Sequence, residues 1–275
     1  MERGICEMTK KKIAIIGAGS IGTTIADEIS NHFDEYYELV GIMKNSESRI
    51  KELEMTYKVP VVTECSKLLE TKPDFIIEAA GVEVVKEYGE TILKHGVHFI
   101  PLSVGGLADP DFYQTLGQTA KENSAVLYIP SGAIGGFDLM RKMTLVNPPE
   151  VEIHTSKAPS SLEGAPYLAG RELSETEKEV IFDDSATEAI KGFPQNINVA
   201  IATALATVGP DQTRTVIQSD PELEANVHEI TVTNKEGTAN IRFASKPSDN
   251  PRTSSITAWS VISLLKNIAE PVRFF

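Results

Sequence analysis

The chain has 275 residues, 39 Asp+Glu against 26 Lys+Arg, a formal net charge of −13 and only two cysteines. That length supports one or two domains with cores of their own, and 41% hydrophobic with 24% charged residues is an ordinary globular composition. The acidic balance excludes a nucleic-acid surface, which needs a clustered basic face; Lys10-Lys11-Lys12 runs straight into an apolar strand instead. Cys6 and Cys65 are too few for a disulfide scaffold or a Cys-rich zinc site and point to a reducing compartment. No stretch near the N-terminus has the apolar length of a signal peptide, and no segment is apolar enough to span a bilayer. The expectation is a cytoplasmic protein with neither nucleic-acid nor membrane partners.

The first half alternates short apolar runs with helical spacing. Residues 12–17 read as a strand and 21–30 as a helix; 39–43 and 59–62 read as further strands. Residues 74–80, within DFIIEAAG, make a fourth run, followed by a helix ending at His95-Gly96, where glycine suits a C-cap. Residues 98–103 and 125–131 read as two more strands. Such alternation predicts a parallel sheet with helices on both faces. After about Pro130 the pattern changes. SGAIGG (131–136) opens a helix over 137–146, 151–156 alternates as a strand, and the acidic stretch 171–184 carries a strand at 180–182. Residues 196–208 read as a helix rich in small side chains, 213–219 as a strand, and 227–233 with 238–244 as a hairpin across 234–237. Residues 254–268 form an amphipathic helix. The expected fold class is α/β, a Rossmann-type doubly wound parallel sheet over 9–130, with a second α+β domain over 131–250 built largely from antiparallel strands.

Gly17-Ala18-Gly19-Ser20-Ile21-Gly22 fits G-x-G-x-x-G between a buried strand and a helix. In that setting Gly17 permits the tight turn, Gly19 lets backbone approach a pyrophosphate and Gly22 lets helix and strand pack, while Ser20 and Ile21 bring amides to the helix N-terminus. A glycine-rich turn that only needs positive φ is the plainer alternative. Ala80, at the end of the fourth run, is a further expected cofactor contact. The second strand ends Met43-Lys44-Asn45-Ser46 with no carboxylate until Glu47. An NAD ribose usually meets an acidic residue there. Lys44, with Asn45 and Ser46, could meet a 2′-phosphate instead, so NADP is expected to serve at least as well as NAD.

Among five histidines His228 stands out, sharing a strand face with Ile230 and Val232. An imidazole there suits proton transfer near neutral pH, and a satisfied core histidine fits the same position. His95 and His98 flank a turn without a third ligand at fitting spacing, so no metal site is expected. Asn196 and Asn198 lie at a helix start, where one can cap and the other can face a cleft. Lys157 and Arg252 read as cations in Pro-containing loops, able to bind carboxylates or simply to sit at the surface.

With GAGSIG (17–22), PSGAIGG (130–136), FPQNINVA (193–200), DPELEANVHEI (220–230) and NPRTS (250–254), the chain resembles the L-aspartate dehydrogenase family from the glycine turn almost to the C-terminus. The resemblance implies oxidation of L-aspartate to iminoaspartate with NAD or NADP, with possible supply to quinolinate and NAD biosynthesis. It implies a homodimer in which a C-terminal helix over 251–275 returns to the first domain. The family's active-site histidine falls on His228, a cofactor-contacting alanine on Ala133 beside Ser131 and Gly132, and a cofactor-contacting asparagine on Asn198. Asn196, Lys157 and Arg252 are then the expected substrate contacts. A reductase of the homoserine or dihydrodipicolinate type and a non-catalytic dinucleotide-binding sensor are the alternatives, since a Rossmann domain hosts many functions.

Overall fold

The structure is a computed structural model and describes residues 9–194, 197–245 and 256–274. The chain runs β1 (Lys11–Ile16), α1 (Ser20–His32), β2 (Tyr37–Met43), α2 (Ile50–Tyr57), β3 (Val61–Val62), α3 (Cys65–Leu69), β4 (Phe75–Glu78), α4 (Val82–Lys94), β5 (His98–Pro101) and α5 (Pro110–Glu122). It continues through α6 (Phe137–Val146), β6 (Glu150–Lys157), β7 (Glu179–Ser185), α7 (Ala186–Gly192), α8 (Asn198–Ala206), β8 (Thr213–Ser219), β9 (Asn226–Asn234), β10 (Gly237–Ser245) and α9 (Ile256–Ala269).

The first sheet is wholly parallel in the order β3-β2-β1-β4-β5. Both faces are covered, which is why its strands read as unbroken apolar runs. Ile13 and Ile15 join Phe75 and Ile77 on one face, under Ile25 and Ile29 of α1 and Val261, Ile262 and Leu265 of α9. Ala14, Ile16, Ile76 and Phe99 face the other way, under Val85, Ile92 and Leu93 of α4 and Leu116 of α5. Tyr37 on β2 donates its hydroxyl to the Leu265 carbonyl at 2.7 Å and so ties α9 to the sheet. Strand order reverses between β1 and β4, and the crevice beyond their C-terminal ends is where open α/β sheets bind ligands.

The expected sixth strand over 125–131 is reduced to an isolated bridge between Phe99 and Leu127. The Phe99 amide donates to Val126 and the Tyr128 amide to Phe99, and pairing stops there. Pro101 and Pro130 lack the amides that would extend the ladder.

The second sheet has the order β10-β9-β6-β8-β7. Three pairings are antiparallel as expected, but β6 and β8 pair in parallel because α7 and α8 carry the chain across between them. The hairpin is longer than its sequence suggests, with Asn234 paired to Gly237 across Lys235-Glu236. One sheet face is buried beneath α6, α7 and α8. The other exposes ion pairs, Arg214 to Glu152 at 2.6 Å and to Asp183 at 2.8 Å.

Packing where β1 and β4 end depends on Gly17. It has φ +107°, and a Cβ there would stand 2.4 Å from the Ala79 carbonyl oxygen. Gly17→Ala should therefore cost more than about 1 kcal/mol, since both the backbone conformation and the space oppose it. A urea melt with an unchanged midpoint would contradict this.

Candidate active site

The glycine turn connects β1 to α1, and its third residue is open: apart from its chain neighbours, no residue comes within 4 Å of where a Gly19 Cβ would be. The first amides of α1 have no acceptor inside the helix and carry its positive end. A Cβ on Gly22 would meet the Gly17 carbonyl oxygen at 2.0 Å, so that glycine serves packing. Together these make a cradle with room for a phosphate beside Ser20 and Ile21, which is what a dinucleotide requires.

From this turn a cavity runs between the two sheets. Ile21, Ala79, Ala80, Leu102, Ser103 and Val104 form its wall on the side of the first sheet, and residues 130–133 line it as well. The second sheet supplies Lys157 from the end of β6 and Asn226 and His228 from β9, with Asn198 at the start of α8.

His228 is 5% exposed, and its Nδ1 lies 3.0 Å from the Thr155 hydroxyl oxygen. Burial, and then the charge of Lys157, push its pKa down to about 3, so the ring is neutral. Lys157 is 3% exposed and burial brings its ammonium down to about 8. A desolvated histidine and lysine sharing a cavity with an open glycine cradle can bind an acid and move a proton beside a dinucleotide.

Comparison with known proteins agrees with this geometry. Residues 138–268 match the family model of the aspartate dehydrogenase C-terminal domain, and residues 17–130 that of the homoserine dehydrogenase NAD-binding domain. An L-aspartate dehydrogenase of Methanosarcina acetivorans is 39% identical over 268 residues, covering 95% of this chain and 98% of the relative. This chain belongs to the L-aspartate dehydrogenase family. The crystal structure of aspartate dehydrogenase from Thermotoga maritima superimposes with a TM-score of 0.77 at 27% identity, covering 97% of this chain and all of the other. A hyperthermophilic archaeal homoserine dehydrogenase solved with NADPH shares the fold, with TM-score 0.60, 15% identity and coverage of 94% and 98%.

Most of the residues singled out in the sequence meet at this one place. Ile21, Ala80, Ala133, Lys157, Asn198 and His228 line the cavity, and Gly17, Gly19, Ser20 and Gly22 form the turn beside it. Lys157 corrects the loop reading. It is the last residue of β6, an inner strand flanked by β9 and β8, which buries it. Asn198 does not cap its own helix: its Oδ1 accepts from the Gly105 amide at 2.9 Å, joining α8 to the turn after β5. Lys44 lies just past β2, with Nζ donating to Ser46 at 2.5 Å and Ser48 at 3.2 Å. Asn196 and Arg252 lie outside the described residues. His98 is structural, its Nδ1 accepting from the Val126 amide. No cluster of three or more His, Cys, Asp or Glu suited to a metal occurs among the described residues.

Sequence reasoning missed Glu78. Its carboxylate is fully buried at the end of β4; Oε1 accepts from the Ala80 and Gly81 amides and the Ser103 hydroxyl, and Oε2 from the Ser103 amide. Burial raises its pKa against these four bonds, each of which favours the anion. A lone carboxylate in an apolar four-residue strand was the available signal. Asn226 was also missed, two positions from His228 and so on the same strand face.

Glu78 therefore holds the loops after β4 and β5, both in the cavity wall, to one another. Glu78→Gln replaces an acceptor with a donor facing an amide and should cost about 1–3 kcal/mol. Chemical denaturation would register that loss; equal stability would refute the clasp.

Proposed function

We propose that this chain oxidises L-aspartate at C2, using NAD or NADP, to iminoaspartate, which water converts to oxaloacetate and ammonia. The observation that carries the reading is one cavity, beside the glycine turn, that the family's histidine and a buried lysine both line. When bound, NAD or NADP would supply the acceptor for the hydride and the two electrons that leave C2. Gly19, Ser20 and Ile21 would hold the pyrophosphate through backbone amides, with Gly17 and Gly22 shaping the turn, while Ala80, Ala133 and Asn198 would flank the nicotinamide. Lys157 binds a substrate carboxylate. Arg252 and Asn196 complete the substrate contacts.

His228 takes the proton that the substrate ammonium must lose before its C–H bond breaks, releases it to solvent, and then deprotonates the water that attacks the imine carbon. The ring starts neutral because burial and Lys157 disfavour its charge. A bound dicarboxylate offsets both effects, so the basicity of His228 rises when substrate is present.

Residues 9–130 with the C-terminal segment 251–275 act as the cofactor part, and 131–250 as the substrate and dimer part of a cytoplasmic homodimer. No helix among the described residues is long and apolar enough to cross a membrane. The cluster of Lys44, Ser46 and Ser48 supports use of NADP at least as good as NAD, because a cation and two hydroxyls suit a 2′-phosphate. Iminoaspartate also suits supply to quinolinate formation.

The decisive assay follows nicotinamide absorbance with L-aspartate, D-aspartate, glutamate and homoserine, each with both cofactors. Reduction with L-aspartate alone is expected, and His228→Ala should lower kcat at least about 100-fold while leaving dinucleotide affinity intact. Response to homoserine, or normal turnover by His228→Ala, would sink the reading.

A pH series tests Lys157. Its ammonium is present below about 8 and lost above, so kcat/KM for L-aspartate should fall as pH rises through that value. In Lys157→Met that fall should disappear from a much lower plateau; the same inflection in the variant would exclude the lysine as its source.

A further inference from the structure

The two residues directly opposite His228 on its neighbouring strands are Thr155 on β6 and Phe243 on β10. Only the threonine offers a hydrogen-bonding atom. Its Oγ1 is 3.0 Å from Nδ1, and both side chains are buried, at 4% and 5% exposure. Ile153 and Ile230, paired two positions further along the same strands, back the ring with an apolar surface. His228 lines the cavity, so with Nδ1 engaged the nitrogen left for a ligand is Nε2.

We infer that Thr155 is the positioning residue of the catalytic histidine: its hydroxyl oxygen accepts from Nδ1–H, which keeps the lone pair on Nε2 and aims it at the substrate. The inference rests on the catalytic reading of His228 and adds what sets its tautomer. A base at Nε2 needs the ring proton on Nδ1, and that proton needs a buried acceptor. A carboxylate at this place would stabilise the charged ring before substrate arrives. A hydroxyl fixes the orientation without adding charge, so the ring stays neutral and the bound dicarboxylate decides when it accepts a proton. The register of β6 against β9 supplies the contact, with each side chain projecting from the same sheet face.

The test uses the full chain with Thr155→Val, nearly equal in shape, and Thr155→Ser, which keeps the hydroxyl. Thr155→Val should lower kcat roughly 10- to 100-fold with dinucleotide KM unchanged, and Thr155→Ser should restore it to within about 3-fold. In a His228→Ala background Thr155→Val should have no further effect, because the threonine acts only through the ring. Nitrogen NMR of the His228 ring reads the tautomer directly: Nδ1 protonated in the parent chain, a mixture in Thr155→Val. Full kcat in Thr155→Val beside an inactive His228→Ala overturns this inference alone, as does an unaltered ring signal in Thr155→Val. A further loss in the His228→Ala background overturns it too. Normal turnover by His228→Ala removes the catalytic reading itself, and this inference with it.

Discussion

Desolvation at the seam between the two sheets governs the chemistry of this molecule. Glu78, Lys157 and His228 are all withdrawn from water there, and the consequences differ because their partners differ. Glu78 receives four donors and acts as a fixed anchor for backbone. His228 has one hydroxyl and a cationic neighbour, so its charged form is disfavoured until a ligand changes the balance. Lys157 keeps its charge near neutrality only narrowly. A site that must bind a dianion and then move protons gains from such poise, since ligand charge has its largest effect where solvent screening is least.

The seam exists because two layers present different edges to each other. The parallel sheet offers the C-terminal ends of β1 and β4, where loops cluster and amides point outward. The mixed sheet offers the flat face of β6 and β9. Asn198 bridges them, reaching from α8 to the Gly105 amide behind β5. The network runs from Glu78 to Ser103, through the turn to Gly105, and on to α8, so the cavity wall is continuous backbone held by side chains.

Much of this was legible beforehand, for identifiable reasons. Strands buried on both faces spell themselves as apolar runs, so β1, β4 and β5 were visible, and the glycine turn was readable from its flanks. His228 was visible because alternation on β9 placed it among Ile230 and Val232. What escaped depends on pairing rather than composition. Lys157 was read as part of a loop because nothing local says that β6 extends to it or that strands lie on both sides. The 125–131 run has the right residues for a strand, but Pro101 and Pro130 take away the partners. Glu78 was not singled out, since its hydrogen-bond donors come from a turn and from a loop 25 residues away.

The net charge of −13 is reconciled with anionic ligands by where the charges sit. On the exposed face of the second sheet Arg214 is engaged by Glu152 and Asp183, and Arg242 by Glu229. Lys178 is likewise held by Asp220 and Glu222. These pairs contribute little to stability individually, and each leaves its cation held by carboxylates. The phosphate cradle is made of uncharged amides, which bind anions without a basic patch. In the proposed reading a carboxylate is drawn by Lys157, buried at the end of a central strand where its field is least diluted by water.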